Sequence, residues 1–102
     1  MSRIDKLREL MAKAPDDPMT RYMLANELYK AGEFAEAASE LEIYLKAVED
    51  EGAAYRTLAD AYLQIGKKKE ARWALRQGAE AALAHHHEGM AEELEEKLKE
   101  LG

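Results

Sequence analysis

The side chains able to do chemistry are few, and three of them are adjacent: His85, His86 and His87. Imidazole is a common transition-metal ligand, and two histidines four apart on one helix face can hold an ion together. Three consecutive helical residues instead point about 100° apart, so they do not share an ion from one face. No cysteine and no well-placed carboxylate completes a set, so no functional metal is expected. Nucleophilic chemistry has as little support, because Ser2 and Ser39 are the only serines and neither sits in a motif. There is no glycine-rich phosphate loop. The many glutamates have lysine neighbours on helix surfaces, a solvated arrangement rather than an acid–base pair. The residues predict no enzyme, no catalytic residue and no cofactor.

What remains is recognition, which depends on the elements that carry it. With 102 residues the chain suffices for one domain and not for two. Alanine, leucine, glutamate and lysine dominate and prolines number 2, which favours helix. Ser2 to Ala14 carries Ile4, Leu7, Met11 and Ala14 at helical spacing, with Leu10 beside them. Pro15 ends that helix. Asp17 is suited to cap a second helix with Pro18 at its first position. That helix is expected to run to Ala31 and stop at Gly32. A third spans Glu33 or Phe34 to Val48, before a break at Asp50-Glu51-Gly52. A fourth covers Ala53 to Ile65 and ends at Gly66. A fifth continues from Lys67 or Lys68 to Ala84, and His85 to Gly89 form the next break. The sixth, Glu88 to Leu101, has Met90, Leu94, Leu98 and Leu101 on one side. No segment alternates as a strand does, so the chain is expected to be all-α.

The elements also repeat. Leu24, Ala25, Gly32, Glu36, Ala37, Leu41 and Ala47 return 34 residues later as Leu58, Ala59, Gly66, Glu70, Ala71, Leu75 and Ala81. A period of that length marks an array of helix hairpins. Small residues and a glycine recur where two helices must touch and turn.

Residues 18–85 resemble two tandem tetratricopeptide repeats. The first copy shows Tyr22-Met23-Leu24-Ala25, Leu28, Gly32, Ala37, Leu41 and Tyr44. The second shows Tyr55, Leu58-Ala59, Tyr62, Gly66, Ala71, Leu75 and Gly78. Gly78 departs from the alanine commoner in that family. The resemblance implies a right-handed superhelical stack of antiparallel hairpins, with six helices in a single 1–102 domain. Residues 1–14 would be a flanking helix, 18–51 and 52–85 the two repeats, and 88–101 a capping helix.

In that family the first helix of each hairpin lines a concave groove that holds a peptide. Carried over by position, the groove would present Met19, Tyr22, Asn26 and Tyr29, then Arg56, Asp60, Leu63 and Gln64. The last helix would add His87, Met90, Leu94 and Lys97. Chaperone-binding members grip a carboxylate tail with five clamp residues. Only Asn26 matches, with Tyr22, Thr57, His87 and Ala91 standing at the other positions, so that partner is not expected.

A second surface is suggested by Lys68, Arg72 and Arg76, spaced four apart beside Trp73, unless Trp73 packs near Leu98 and Leu101. Residues 18–51 hold three basic and eight acidic side chains, and residues 52–85 hold six basic and three acidic. The set Glu33, Glu36 and Glu40 could therefore meet the basic strip of a second copy, which makes a homo-oligomer the alternative to a peptide scaffold. The net charge of −6 argues against nucleic acid. No apolar run reaches the ~20 residues of a membrane span. The opening residues lack a secretory pattern, and a cytoplasmic protein that binds another protein or peptide is expected.

Overall fold

Asp17 shows how the chain turns from one helix to the next. Its carboxylate accepts the Met19 backbone N–H at 3.2 Å and the Thr20 hydroxyl at 2.6 Å, with Pro18 at the first helical position. The computed structural model describes residues 2–102, so Met1, at the head of the first expected segment, lies outside it. Among the described residues there are six helices and no strand. They are α1 (Arg3–Lys13), α2 (Pro18–Lys30), α3 (Phe34–Ala47), α4 (Ala53–Gln64), α5 (Lys68–Ala84) and α6 (Glu88–Leu101). No helix is long and apolar enough to cross a membrane.

Three of the turns are built alike. Gly32 and Gly66 take φ of 81° and 79°, the left-handed conformation that costs a residue with Cβ. After each, a backbone N–H reaches back to the helix: Glu33 to Leu28 at 2.9 Å and Lys67 to Tyr62 at 2.8 Å. His86 occupies the same place between α5 and α6, with φ of 62°, and His87 N–H closes on Ala82 at 2.7 Å. The middle histidine is thus a turn residue, and its two neighbours are the caps on either side.

Each helix packs chiefly on its neighbours in sequence, and α2 also meets α4. The stack measures 40 × 28 × 18 Å. Residues that match across the 34-residue period have matching environments. Leu24 and Leu58, Ala25 and Ala59, Ala37 and Ala71, and Leu41 and Leu75 are all buried. The alanines let paired helices approach closely, and the leucines fill the space around them. Tyr44 and Tyr62 complete the core beside Leu94.

The junction between the hairpins is tighter still. A Cβ on Gly78 would fall 2.8 Å from Tyr55 Cβ on α4 and 2.9 Å from Leu94 Cδ1 on α6. The glycine that departs from the repeat pattern is therefore the point where α5 admits both neighbours. Gly52, with φ of 126°, lies against Gly78 and Met90 in the same crossing. Across this junction His87 Nε2 donates to Glu51 at 2.9 Å, and His85 sits 3.8 Å from both Glu49 and Glu51. These contacts tie the α5–α6 turn to the α3–α4 linker. The His87 bond holds the Glu51 carboxyl below its usual range.

Candidate functional site

Polar links join α2, α4 and α6 side by side. The Tyr29 hydroxyl on α2 donates to the Asp60 carboxylate on α4. Arg56 on α4 places Nη1 3.1 Å from Glu93 Oε1 on α6, and Lys97 Nζ lies 3.5 Å from the other Glu93 oxygen. That bond to Asp60, followed by burial, raises the Tyr29 pKa, because ionisation would set two anions against each other.

Between α4 and α6 opens a cleft of about 390 Å³, lined by Arg56, Ala59, Asp60, Leu63, Lys97, Glu100 and Leu101, with Leu75 beneath. Leu63 is 39% exposed and gives the cleft an apolar wall. Arg56 and Lys97 offer cations, and Asp60 and Glu100 offer carboxylates. Such a site can seat an apolar side chain and orient the polar groups of a peptide around it. It holds no nucleophile with an adjacent base. Among the described residues no three His, Asp or Glu side chains are grouped to hold a metal ion.

Of the residues expected to line the groove, Arg56, Asp60 and Leu63 come together in this cleft, with Lys97 opposite. Tyr29 is joined to it through Asp60. Asn26 is half-buried one turn earlier on α2 and makes no side-chain hydrogen bond among the described residues. Met19 and Gln64 are exposed on their helices. Tyr22 is half-buried and stacks on Tyr44 of α3, ring centroids 4.6 Å apart, so much of its face is spent on packing.

Two expected positions are corrected. Leu94 is 0% exposed and lies in the core against α5 beside Gly78, where no ligand reaches it. Met90 is half-buried, packed on the core, with its sulfur close to Gly52. The reason is the packing of α6 on α5. From α6 the cleft receives the expected Lys97 together with Glu100 and Leu101, while Glu93 is joined to Arg56. The apolar stripe of α6 was the available signal: a stripe that must bury against α5 is not free to line an open cleft.

The second surface is also redrawn. Arg72 donates through Nη2 to the Gly102 carbonyl at 2.8 Å and is half-buried, which commits it to holding the end of α6. Lys68 and Arg76 are exposed. Trp73 is 46% exposed and meets Tyr55 edge to face at 6.2 Å, away from the Leu98 and Leu101 packing considered above. Of the acidic set, Glu40 is held by Arg21 at 2.9 Å and Glu36 by Arg8, which leaves less of it for a second copy.

No family model and no curated protein sequence matches the chain. Its fold is similar to the solution structure of protein BPP2914 from Bordetella parapertussis, a structural genomics target. The two are 22% identical with a TM-score of 0.82, over 99% of this chain and 88% of that one. At that identity the likeness establishes the fold, an all-α stack of helices.

Proposed function

We propose that this chain is a tetratricopeptide-like module that binds a segment of another protein on the face formed by α2, α4 and α6. The observation behind this reading is the cleft beside Leu63, where an exposed leucine sits among two cations and two carboxylates. Its mechanism is presentation of side chains by a scaffold whose own cross-links, Tyr29 to Asp60 and Arg56 to Glu93, keep the helices in register. No bond is made or broken. A scaffold fixed before binding loses less conformational entropy on association than a floppy one. The lack of cysteine is the observation behind a cytoplasmic setting.

Selection of a random peptide library on the immobilised chain tests the reading. Enriched peptides are expected to lose affinity about tenfold on Leu63→Asp or Arg56→Glu, while both variants keep the parental helicity. Peptides that bind both variants as they bind the parent would move the site elsewhere and end this proposal.

A further inference from the structure

On a different side of α4 lies another cleft, of about 370 Å³, walled by Glu42, Leu45 and Lys46 of α3 and by Trp73 of α5. Tyr55, Leu58 and Tyr62 of α4 form its floor. The repeat supplies a counterpart for it. Thirty-four residues earlier, Arg8 stands for Glu42, Arg21 for Tyr55, Ser39 for Trp73 and Glu36 for Glu70.

In the first hairpin this space is bridged by charge. Arg8 pairs with Glu36. Arg21 Nη1 lies 3.0 and 2.9 Å from the two oxygens of Glu40, and both side chains are largely sheltered. The second hairpin loses both bases and one of the two acids, since Ala74 stands for Glu40, and keeps the other. Glu70 remains, but Glu42 replaces the arginine that would face it, and Tyr55 replaces the other. None of the ion pairs among the described residues includes Glu42, Glu70 or the rim residue Lys46. Both carboxylates act on Tyr62: its hydroxyl donates to Glu42 Oε1 at 2.8 Å. Burial first, then Glu42 and Glu70, push its pKa upward.

The aromatic wall is not demanded by the packing of the hairpin. At the position of Trp73 the first hairpin manages with Ser39, exposed and bonded only to the Ala35 carbonyl of its own helix. A half-exposed indole beside a second ring, with the Glu42 carboxylate in the same cleft and Glu70 at the repeat position of the acid that Arg8 meets, fits one kind of guest. Guanidinium pairs with carboxylates through a planar fork and stacks on aromatic faces.

We propose that this cleft binds an arginine side chain presented by a partner peptide, with its guanidinium between Glu42 and Glu70 and its stem on Tyr55 and Trp73. The guest takes the place that Arg8 fills in the first hairpin. This surface is separate from the groove beside Leu63 and does not depend on it.

Trp73 is the only tryptophan, so its emission and its indole N–H resonance report on the cleft directly. The probe is the pentapeptide acetyl-Gly-Leu-Arg-Leu-Gly-amide, compared with the same peptide carrying uncharged citrulline. Saturable, millimolar changes at Trp73 are expected with arginine, at least about fivefold weaker with citrulline. Glu42→Gln and Glu70→Gln should each weaken binding as citrulline does, with unfolding midpoints checked in parallel. Glu42→Arg should abolish it, because the new side chain pairs with Glu70 and fills the cleft from within. Asn26→Ala, on the groove, should bind as the parent does. Silent Trp73 signals up to about 20 mM peptide would overturn the proposal. So would equal binding of citrulline, unchanged binding in both glutamine variants, or loss of binding in Asn26→Ala.

Discussion

Tyr29 and Asp60 join the first helices of the two hairpins by a hydroxyl-to-carboxylate hydrogen bond. The bond spans two repeat units, and it lies on the face proposed to receive a peptide. Tyr29→Phe is expected to lower stability by about 1 kcal/mol, since the ring packing on Phe34 remains and one charge-assisted bond is lost. Combining it with Asp60→Asn should recover about 1 kcal/mol of coupling in a double-mutant cycle, read by urea unfolding. Additive effects would mean the bond does not persist in solution.

Tyrosine ionisation is expected to weaken the fold at alkaline pH. The pKa values of Tyr44, Tyr55 and Tyr62 are raised above 10.0 chiefly by burial, and that of Tyr29 chiefly by its bond to Asp60. A raised phenol pKa means the native state holds its proton more tightly than the unfolded chain. The stability so contributed is complete below about pH 10 and is lost as pH rises through the native values. Unfolding free energy measured from about pH 8 upward should be flat and then fall above about pH 10. Tyr62→Phe should make that fall shallower.

Gly78→Ala sets two effects against each other. Alanine is the better helix former by about 1 kcal/mol. The new methyl, however, would sit 2.8 Å from Tyr55 Cβ and 2.9 Å from Leu94 Cδ1. Overpacking of this kind costs about 1–3 kcal/mol, so a net loss is expected. Gly89→Ala is the control: nothing lies within 4 Å of its Cβ, and a gain of up to about 1 kcal/mol should appear in the same denaturation series.

His86 holds a left-handed conformation that the two equivalent turns assign to Gly32 and Gly66. Histidine tolerates it better than most residues but still pays for its Cβ. His86→Gly should raise stability by about 0.5–1 kcal/mol, and Gly66→His should lower it by a similar amount. Thermal midpoints moving the other way would mean the side chain makes a contact that outweighs the strain.

The two leucines once expected on the same groove should behave oppositely. Leu94→Ala empties a fully enclosed site and should cost about 2–5 kcal/mol. Leu63→Ala removes a side chain already 39% exposed and should change stability by less than about 0.5 kcal/mol. Its effect belongs to peptide binding.

How far the molecule could be read in advance follows from which signals are local. Asp17-Pro18, Gly32 and Gly66 announce helix ends through their own backbone chemistry, and the ends of α2 and α4 and the starts of α3 and α5 lie within a residue or two of them. Arg56, Asp60 and Leu63 were legible as one face because they stand four and three residues apart on a single helix. The face of α6 was legible only in part: Lys97 lines the cleft, but Leu94 is drawn into the core, because packing decides which side of α6 lies on α5. Tyr22 shows another limit: its spacing places it on α2, but stacking on Tyr44 depends on how α3 crosses. The exchange of Arg8 for Glu42 is visible in the letters. That the Glu42 carboxylate accepts the Tyr62 hydroxyl emerges only once α3 and α4 are packed together.

A chain whose helices lean mostly on those next to them in sequence carries its cohesion as a series of links. Its contacts close short loops, so assembly should be quick and should tolerate starting at more than one point. The same property leaves the ends weakest. Because α1 rests mainly on α2, it should peel away first on warming, while the crossing around Gly52 and Gly78 lets go last.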